Sequence, residues 1–161
     1  MKNFITIKYI DALYCTTEVL NYRKLTTHIA LGKLVQFSDD SLKIIFSEKN
    51  GKPESGLLIP MGAIILNDNK SKIMIKFDIK RNVDVGVSWK DIVFFTKGRI
   101  PDNCTRMYSE GKFISENDDV VILKNPTTIM LKNKIQNHPK VKATFTVIPK
   151  VMIATIQTYD K

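Results

Sequence analysis

Hydrophobic residues along this chain of 161 residues alternate with polar ones or come in short blocks, rather than recurring every three or four positions. Residues 4–10 and 73–79 alternate most clearly, which is typical of strands with one buried face. Blocks rich in Ile, Val, Thr and Phe predict further strands at residues 31–37, 42–46, 57–59, 63–66, 85–89, 112–115, 120–123, 144–148 and 152–157. Polar turn signals such as Asn50-Gly51 separate them, and residues 11–25 favour a short helix or an irregular segment. We therefore expect a mainly β fold.

Five landmarks occur in the same order in both halves of the chain. In the first half they are Tyr9-Ile10-Asp11, Gly32-Lys33, Asp39-Asp40, Ile59-Pro60 and Ile64. In the second half they are Trp89-Lys90-Asp91, Gly111-Lys112, Asp118-Asp119, Ile148-Pro149 and Ile153. The Gly lies 7 residues before the Asp pair in both halves, whereas the pair lies 20 residues before the Pro in the first half and 30 in the second. This agreement predicts an internal duplication with a loop of ten extra residues in the second copy.

Each copy reads as short strands separated by tight turns, which favours a strongly bent antiparallel sheet. Closure of such a sheet into a small barrel removes the exposed edges that an open sheet would leave unpaired. The sequence therefore predicts two tandem small antiparallel β-barrels. We expect a first barrel at residues 1–66, a connecting strand or linker at 67–84, and a second barrel with an inserted basic loop at 85–161.

The landmarks resemble the motifs of Sm-like and SH3-like small barrels. Residues 32–40 look like the first Sm motif and residues 59–65 like the second, with weaker counterparts at 111–119 and 148–153. In Sm proteins the acidic turn leads to an Asn that helps hold a base, and the second motif has an Arg before its Gly. Residues 39–43 and 60–62 contain neither, so the resemblance does not imply an Sm-type uridine pocket. The layout is also similar to small uncharacterised proteins of phages and mobile elements.

The charge is uneven along the chain. Lys and Arg number 25 against 16 Asp and Glu, a formal net charge of +9. Between Val120 and Tyr159 there is no acidic residue, and six lysines fall in that stretch: Lys124, Lys132, Lys134, Lys140, Lys142 and Lys150. Lysines suit contact with phosphates irrespective of base sequence. We therefore expect a non-catalytic binding protein whose lysine-rich face contacts the nucleic-acid backbone through these six residues.

The residue types that usually carry catalysis are sparse and scattered. Cys15, Cys104, His28 and His138 have neither metal-ligand nor catalytic spacing, and the Asp pairs fit polar turns. We expect no catalytic residue, metal or cofactor. The longest uncharged run, residues 57–66, is about half the ~20 residues that a membrane-spanning helix requires. No membrane partner is expected, and we predict a cytoplasmic location, or the virion if the protein is phage-encoded.

Two other functions stay open at this point. Phe94 and Phe95 are adjacent, so one of them should point outward from a strand, and we predict that they bind a partner. Such a surface suits a phage-type structural or assembly protein that forms homo-oligomers through protein–protein contacts. The second alternative is an inhibitor of a host protein.

Overall fold

The structure is a computed structural model that describes residues 4–15, 27–65, 75–96, 101–131 and 140–159. Within these ranges the backbone forms twelve strands and two 3-10 turns, η1 (Met61–Ala63) and η2 (Lys150–Met152). The strands are β1 (Phe4–Ile10), β2 (Leu13–Cys15), β3 (Thr27–Phe37), β4 (Ser41–Lys49), β5 (Lys52–Pro60), β6 (Asp84–Asp91), β7 (Val93–Thr96), β8 (Thr105–Glu116), β9 (Val120–Leu131), β10 (Lys140–Lys142), β11 (Phe145–Pro149) and β12 (Ile153–Tyr159). The mainly β class expected from the sequence is confirmed.

The strands form two antiparallel sheets. Sheet I has the order β1-β3-β4-β5-β7, and sheet II has the order β12-β6-β8-β9-β11-β2, with β10 also paired to β9. The β4–β5 hairpin turns at Asn50 and Gly51, whose φ angles are +51° and +72°. A two-residue hairpin loop of this kind needs positive φ at both positions, which Asn-Gly accepts at little cost.

Both sheets contribute to one hydrophobic core. Its fully buried side chains include Ile44, Ile59, Val85, Val87, Trp89, Val121, Leu123 and Ile148. Trp89 is the largest of them, and its Nε1 donates a hydrogen bond to Ser109 Oγ at 3.0 Å. This bond gives the buried indole N–H the partner that it would otherwise lose on leaving water.

The two halves repeat the same order of elements. β1, β2, β3, β4, β5 and η1 of the first half are matched by β6, β7, β8, β9, β11 and η2 of the second. Strands β3 and β8 each carry a register shift at the equivalent place, between Leu34 and Gln36 and between Phe113 and Ser115. Such bulges bend a strand and increase its twist, so both long strands bend at the same point.

The turns at the Asp pairs are also alike. Ser41 N–H is bound by Ser38 Oγ at 3.2 Å, and Val120 N–H by Asn117 Oδ1 at 2.9 Å. In both turns the residue before the Asp pair therefore supplies the cap. The last carbonyl of each pair accepts a bond from the first residue of the following 3-10 turn, at 3.0 Å in the first half and 2.8 Å in the second.

The halves exchange one short strand each. Strand β2 of the first half pairs with β11 in sheet II, and β7 of the second half pairs with β5 in sheet I. The expectation of a helix or irregular segment is therefore wrong at Leu13–Cys15, and residues 16–25 lie outside the described ranges. The strand expected at 73–79 is also not formed in its described part, since 75–80 have no strand pairing. The division at 1–66, 67–84 and 85–161 stays a prediction, and sheet membership crosses it.

Candidate nucleic-acid interface

Cations gather on the outer face of sheet II, the face turned away from the core. Along β6, Val85, Val87 and Trp89 are buried, so the alternate positions face outward. Residues directly opposite each other on neighbouring strands point to the same face of the sheet. The outward-facing cations of β8, β9 and β10 therefore lie on the same face as the outward-facing cation of β6. We call this set the basic face: Lys90, Arg106, Lys112, Lys124 and Lys142.

The basic face has two cationic ends. At one end Lys90 lies opposite Arg106, and at the other Lys112 lies between Asp84 and Lys124. Lys90 lies six positions after Asp84 in β6, which at ~3.3 Å per residue is about 20 Å. The ends are therefore far enough apart to contact several successive phosphates of one strand.

The acidic residues nearby offset only part of this charge. Lys112 Nζ lies 3.0 Å from Asp84 Oδ1, and Lys90 Nζ lies 3.4 Å from Asp40 Oδ1. Arg106 and Lys142 are exposed, and Lys124 is half-buried. Like charges placed opposite each other on a sheet are unfavourable unless an anion approaches them. A bound polyanion would therefore relieve the repulsion within two rows of the face, Lys90 with Arg106 and Lys112 with Lys124.

Two tyrosines lie between the cationic ends. Tyr108 of β8 and Tyr159 of β12 reach over β6 from opposite sides, and their hydroxyls hydrogen-bond to each other. A Cβ on Gly86 beneath them would lie 2.8 Å from Tyr108 Cζ and 2.6 Å from Tyr159 Oη. Partial burial and the bond to Tyr159 raise the pKa of Tyr108 to about 12, so Tyr108 stays protonated at neutral pH. Gly86 therefore makes room for two rings that lie low across the sheet.

A cleft of about 450 Å³ opens beside the Lys90–Arg106 end. It is lined by Asp40, Ser41, Lys90, Asn103, Cys104, Thr105, Arg106, Met130 and Leu131. Burial raises the pKa of Cys104 to about 11, although Lys90 lowers it. The thiol is therefore protonated at neutral pH and is a poor nucleophile. The cleft therefore adjoins the Lys90–Arg106 end of the basic face.

The six lysines predicted as nucleic-acid contacts lie in different parts of the structure or outside the described residues. Lys124 and Lys142 lie on the basic face. Lys140 belongs to β10, opposite Ile129 of β9, and its side chain lies outside what the structure describes. Lys132 and Lys134 also lie outside the described residues.

Lys150 lies apart from the basic face. Its side chain is 6% exposed, and Nζ lies 2.5 Å from Glu116 Oε2 and donates to the Ile75 carbonyl at 2.6 Å. The ammonium also lies 5.5 Å from the centre of the Phe77 ring. Lys150 therefore stabilises the fold, because its charge is neutralised and enclosed, and it is not part of the proposed surface.

Phe94 and Phe95 take opposite orientations, as expected for neighbours in a strand. Phe94 is 62% exposed and lies 6.0 Å, between ring centres, from Phe46. Phe95 is half-buried, and its ring crosses Gly56, where a Cβ would lie 2.5 Å from Phe95 Cζ. Only Phe94 therefore presents most of its ring to a partner, and the partner role stays a prediction.

The sequence prediction missed Lys90, Arg106 and Lys112, which lie in strands rather than in the basic loop. The sequence signal for these outward positions was their spacing: Arg106, Tyr108 and Lys112 are separated by even numbers of residues, as residues on one face of a strand are. These positions could have been assigned to the outer face of a strand from that period of two.

The described residues contain no helix that is long and apolar enough to span a membrane. They also bring together no group of three or more His, Cys, Asp or Glu side chains that could hold a metal ion. Comparisons with protein-family models, curated proteins and solved structures found no match.

Proposed function

We propose that this protein binds nucleic acid without catalysis, through the basic face of sheet II. The observation that carries the proposal is the two opposed cationic rows, Lys90 with Arg106 and Lys112 with Lys124, on one outward face. Counterion release on neutralising phosphates supplies most of the affinity of such surfaces. Because lysine predominates, contact is with the backbone rather than with particular base edges.

Salt dependence of binding tests this function. Fluorescence anisotropy with labelled single- and double-stranded DNA and RNA should give micromolar binding at low salt that weakens as salt rises. If about three phosphates are neutralised, the slope of log K against log salt is roughly −2 to −3. No salt-dependent binding at micromolar protein would overturn the proposal.

Charge reversal locates the surface. Lys124→Glu with Lys142→Glu should weaken binding to every nucleic acid about equally, at least tenfold, and lower the salt slope. Lys49→Glu with Lys52→Glu is the matched control, because these exposed lysines lie on the β4–β5 hairpin of sheet I. An equal loss in both variants would indicate a general effect of net charge and would contradict the assignment to sheet II.

We further propose that the chain contains two copies of one Sm-like or SH3-like small-barrel unit. Its support is the repeated order of elements and the bulges that β3 and β8 carry at equivalent positions. In this proposal the second copy differs by its insertion and by the cations of its outer face. The two outer faces have therefore taken on different chemistry.

A second candidate function is assembly through protein–protein contacts, as in a virion component. It is favoured by apolar side chains on the outer face of β1 and β3: Phe4 is 57% exposed, Ile29 66% and Leu31 64%. Clusters of exposed apolar residues mark interaction surfaces more often than isolated ones do. Light scattering at high protein concentration tests this candidate, because a strict monomer would contradict homo-oligomerisation. If an oligomer forms through this surface, Ile29→Lys should dissociate it.

A further inference from the structure

The tyrosine pair over Gly86 carries an inference that rests on the proposed function and deepens it. We infer that Tyr108 and Tyr159 form a stacking platform that holds unpaired bases of single-stranded nucleic acid. Aromatic rings and basic residues on one open surface are the combination that single-strand binders use. The platform differs from the cationic rows in the part of the ligand that it contacts, the base rather than the phosphate.

The rings are placed so that a base can lie on them. Tyr108 Cζ and Tyr159 Oη both lie within 3 Å of where a Gly86 Cβ would be, so the ends of both rings rest on the backbone of β6. A ring that lies low across a sheet turns a face outward. Tyr159 is 39% exposed and Tyr108 is half-buried, so part of each ring is accessible.

The charges around the platform separate bases from phosphates. Glu110 lies opposite Gly86 on the same face and is exposed, so its carboxylate disfavours a phosphate at the centre. Four of the five cations lie toward the two ends, in the rows of Lys90 and Lys112, whereas Lys142 shares the central row but lies three strands away from Gly86. A strand whose phosphates follow the cations therefore has its bases directed toward the tyrosines.

This geometry favours single strands over duplexes. Bases in a duplex are already paired and stacked, and only their edges are accessible in the grooves. Unpaired bases can leave their neighbours and stack on an aromatic ring with little regard to base identity. A duplex would use the cationic rows alone and gain nothing from the tyrosines.

An abasic probe separates the two contributions. Anisotropy would compare a 12-nucleotide oligo-dT strand, an abasic strand of equal length and charge, and a 12-base-pair duplex. Oligo-dT should bind at least about tenfold more tightly than the abasic strand, since stacking of a single base gives a factor of that order. Tyr108→Leu with Tyr159→Leu should lower oligo-dT affinity to the abasic level and leave abasic binding unchanged within about twofold.

The control variant is Phe37→Leu, which removes an aromatic ring that is 62% exposed on sheet I. It should leave the preference for oligo-dT unchanged. Equal, salt-dependent binding of oligo-dT and the abasic strand would overturn the platform while the proposed function stands. Tighter binding of the duplex than of oligo-dT would also overturn it. Absence of binding to all three probes would overturn the platform and the proposed function together.

Discussion

Asp11 and Asp91, equivalent residues of the two halves, face each other where the halves meet. Each carboxylate accepts the backbone N–H of the next residue, Ala12 at 2.8 Å and Ile92 at 2.9 Å, and the two carboxyls hydrogen-bond to each other. Burial and the charge of Asp11 raise the pKa of Asp91 to about 7, against the lowering effect of Ile92 N–H. Burial also raises the pKa of Asp11, although the hydrogen bond from Ala12 N–H and the charge of His28 oppose it. The pair therefore holds a shared proton below neutral pH.

This pair should make the protein less stable as pH rises. The folded pKa of Asp91 lies above the unfolded value, so between about pH 4 and 7 the folded state holds a proton that the unfolded state has released. The stabilisation is present at low pH and is lost as pH rises through 7. Urea unfolding should show that this pair makes the free energy of unfolding about 2 kcal/mol lower at pH 8 than at pH 5.

Asp91→Asn should remove most of that pH dependence, because an amide keeps the hydrogen bonds without the second charge. It should make the protein more stable than the unmodified chain at pH 8. Asp118→Asn, at an exposed turn position, serves as the control and should leave the pH dependence in place. An undiminished pH dependence in the Asp91→Asn variant would show that the pair is not its source.

Both aspartates could be found from the sequence, but their meeting could not. Tyr9-Ile10-Asp11 and Trp89-Lys90-Asp91 are the first landmarks of the repeat. Their juxtaposition depends on contacts between residues 80 positions apart, which a local pattern does not encode. The shifted pKa follows from that contact and not from either motif.

The segment 75–80 shows how one buried ion pair can replace strand pairing. Glu116 accepts Phe77 N–H at 3.1 Å and Asp78 N–H at 3.1 Å, and Lys150 donates to the Ile75 carbonyl. Burial raises the pKa of Glu116, but the hydrogen bonds and charge of Lys150 outweigh it and leave the pKa below its usual value. The equivalent positions in the first half are Phe37 and Met61, so this attachment is a feature of the second half alone.

Lys150→Met should therefore be strongly destabilising, although methionine stands at the equivalent first-half position. Glu116, with a side chain 12% exposed, would be left without its cation. Removing one partner of a buried pair costs roughly 3–5 kcal/mol. Urea unfolding should report a loss of about 3 kcal/mol, and trypsin should cleave faster after Lys76 and Lys80.

Two comparisons isolate the ion pair. Adding Glu116→Gln to Lys150→Met should recover part of the stability, because the uncompensated charge is removed. Lys112→Met breaks the more exposed pair with Asp84 and should cost less than about 1 kcal/mol. Equal losses in Lys150→Met and Lys112→Met would contradict a special role for the buried pair.

The sequence predicted the longer strands only in part and the connections poorly. Strands β8 and β9 each have 12 residues, but the sequence predicted only residues 112–115 and 120–123 of them. Blocks rich in apolar residues at 85–89 and 120–123 marked β6 and the start of β9, since each strand has one face in the core. Strands β2 and β7 have only 3 and 4 residues, too few for a period to be recognised. Residues 73–79 alternate as a strand does, but in the described part side chains, rather than a neighbouring strand, hold the backbone.

At the scale of the molecule, each half completes the sheet of the other. Strand β2 lies at the edge of sheet II, β7 lies at the edge of sheet I, and the core draws side chains from both sheets. Backbone approach is close where η1 meets η2, since a Cβ on Gly62 would lie 3.2 Å from the carbonyl carbon of Val151. Sequence repeats predict two similar units, whereas the exchange of strands predicts that each unit depends on the other to fold.

Separated halves should therefore fold only together. Fragments cut at the predicted boundary, 1–66 and 67–161, each lack an edge strand and half of the core. Trp89, the one tryptophan of the chain, reports the outcome, because it is 1% exposed and lies 6.3 Å, between ring centres, from Tyr14 of β2. In fragment 67–161 alone its emission should be red-shifted, and mixing in fragment 1–66 should shift it back as a one-to-one complex forms.

Thermal unfolding completes this test, because interdependence and independence predict different transitions. The intact chain should unfold in one transition that does not depend on concentration, whereas the complex of fragments should melt at temperatures that rise with concentration. Either fragment unfolding cooperatively by itself, with buried Trp89 emission in the second, would show that the two units are self-sufficient domains. The exchanged strands would then only link two units that each fold alone. If the core is shared, neither unit should fold without the other.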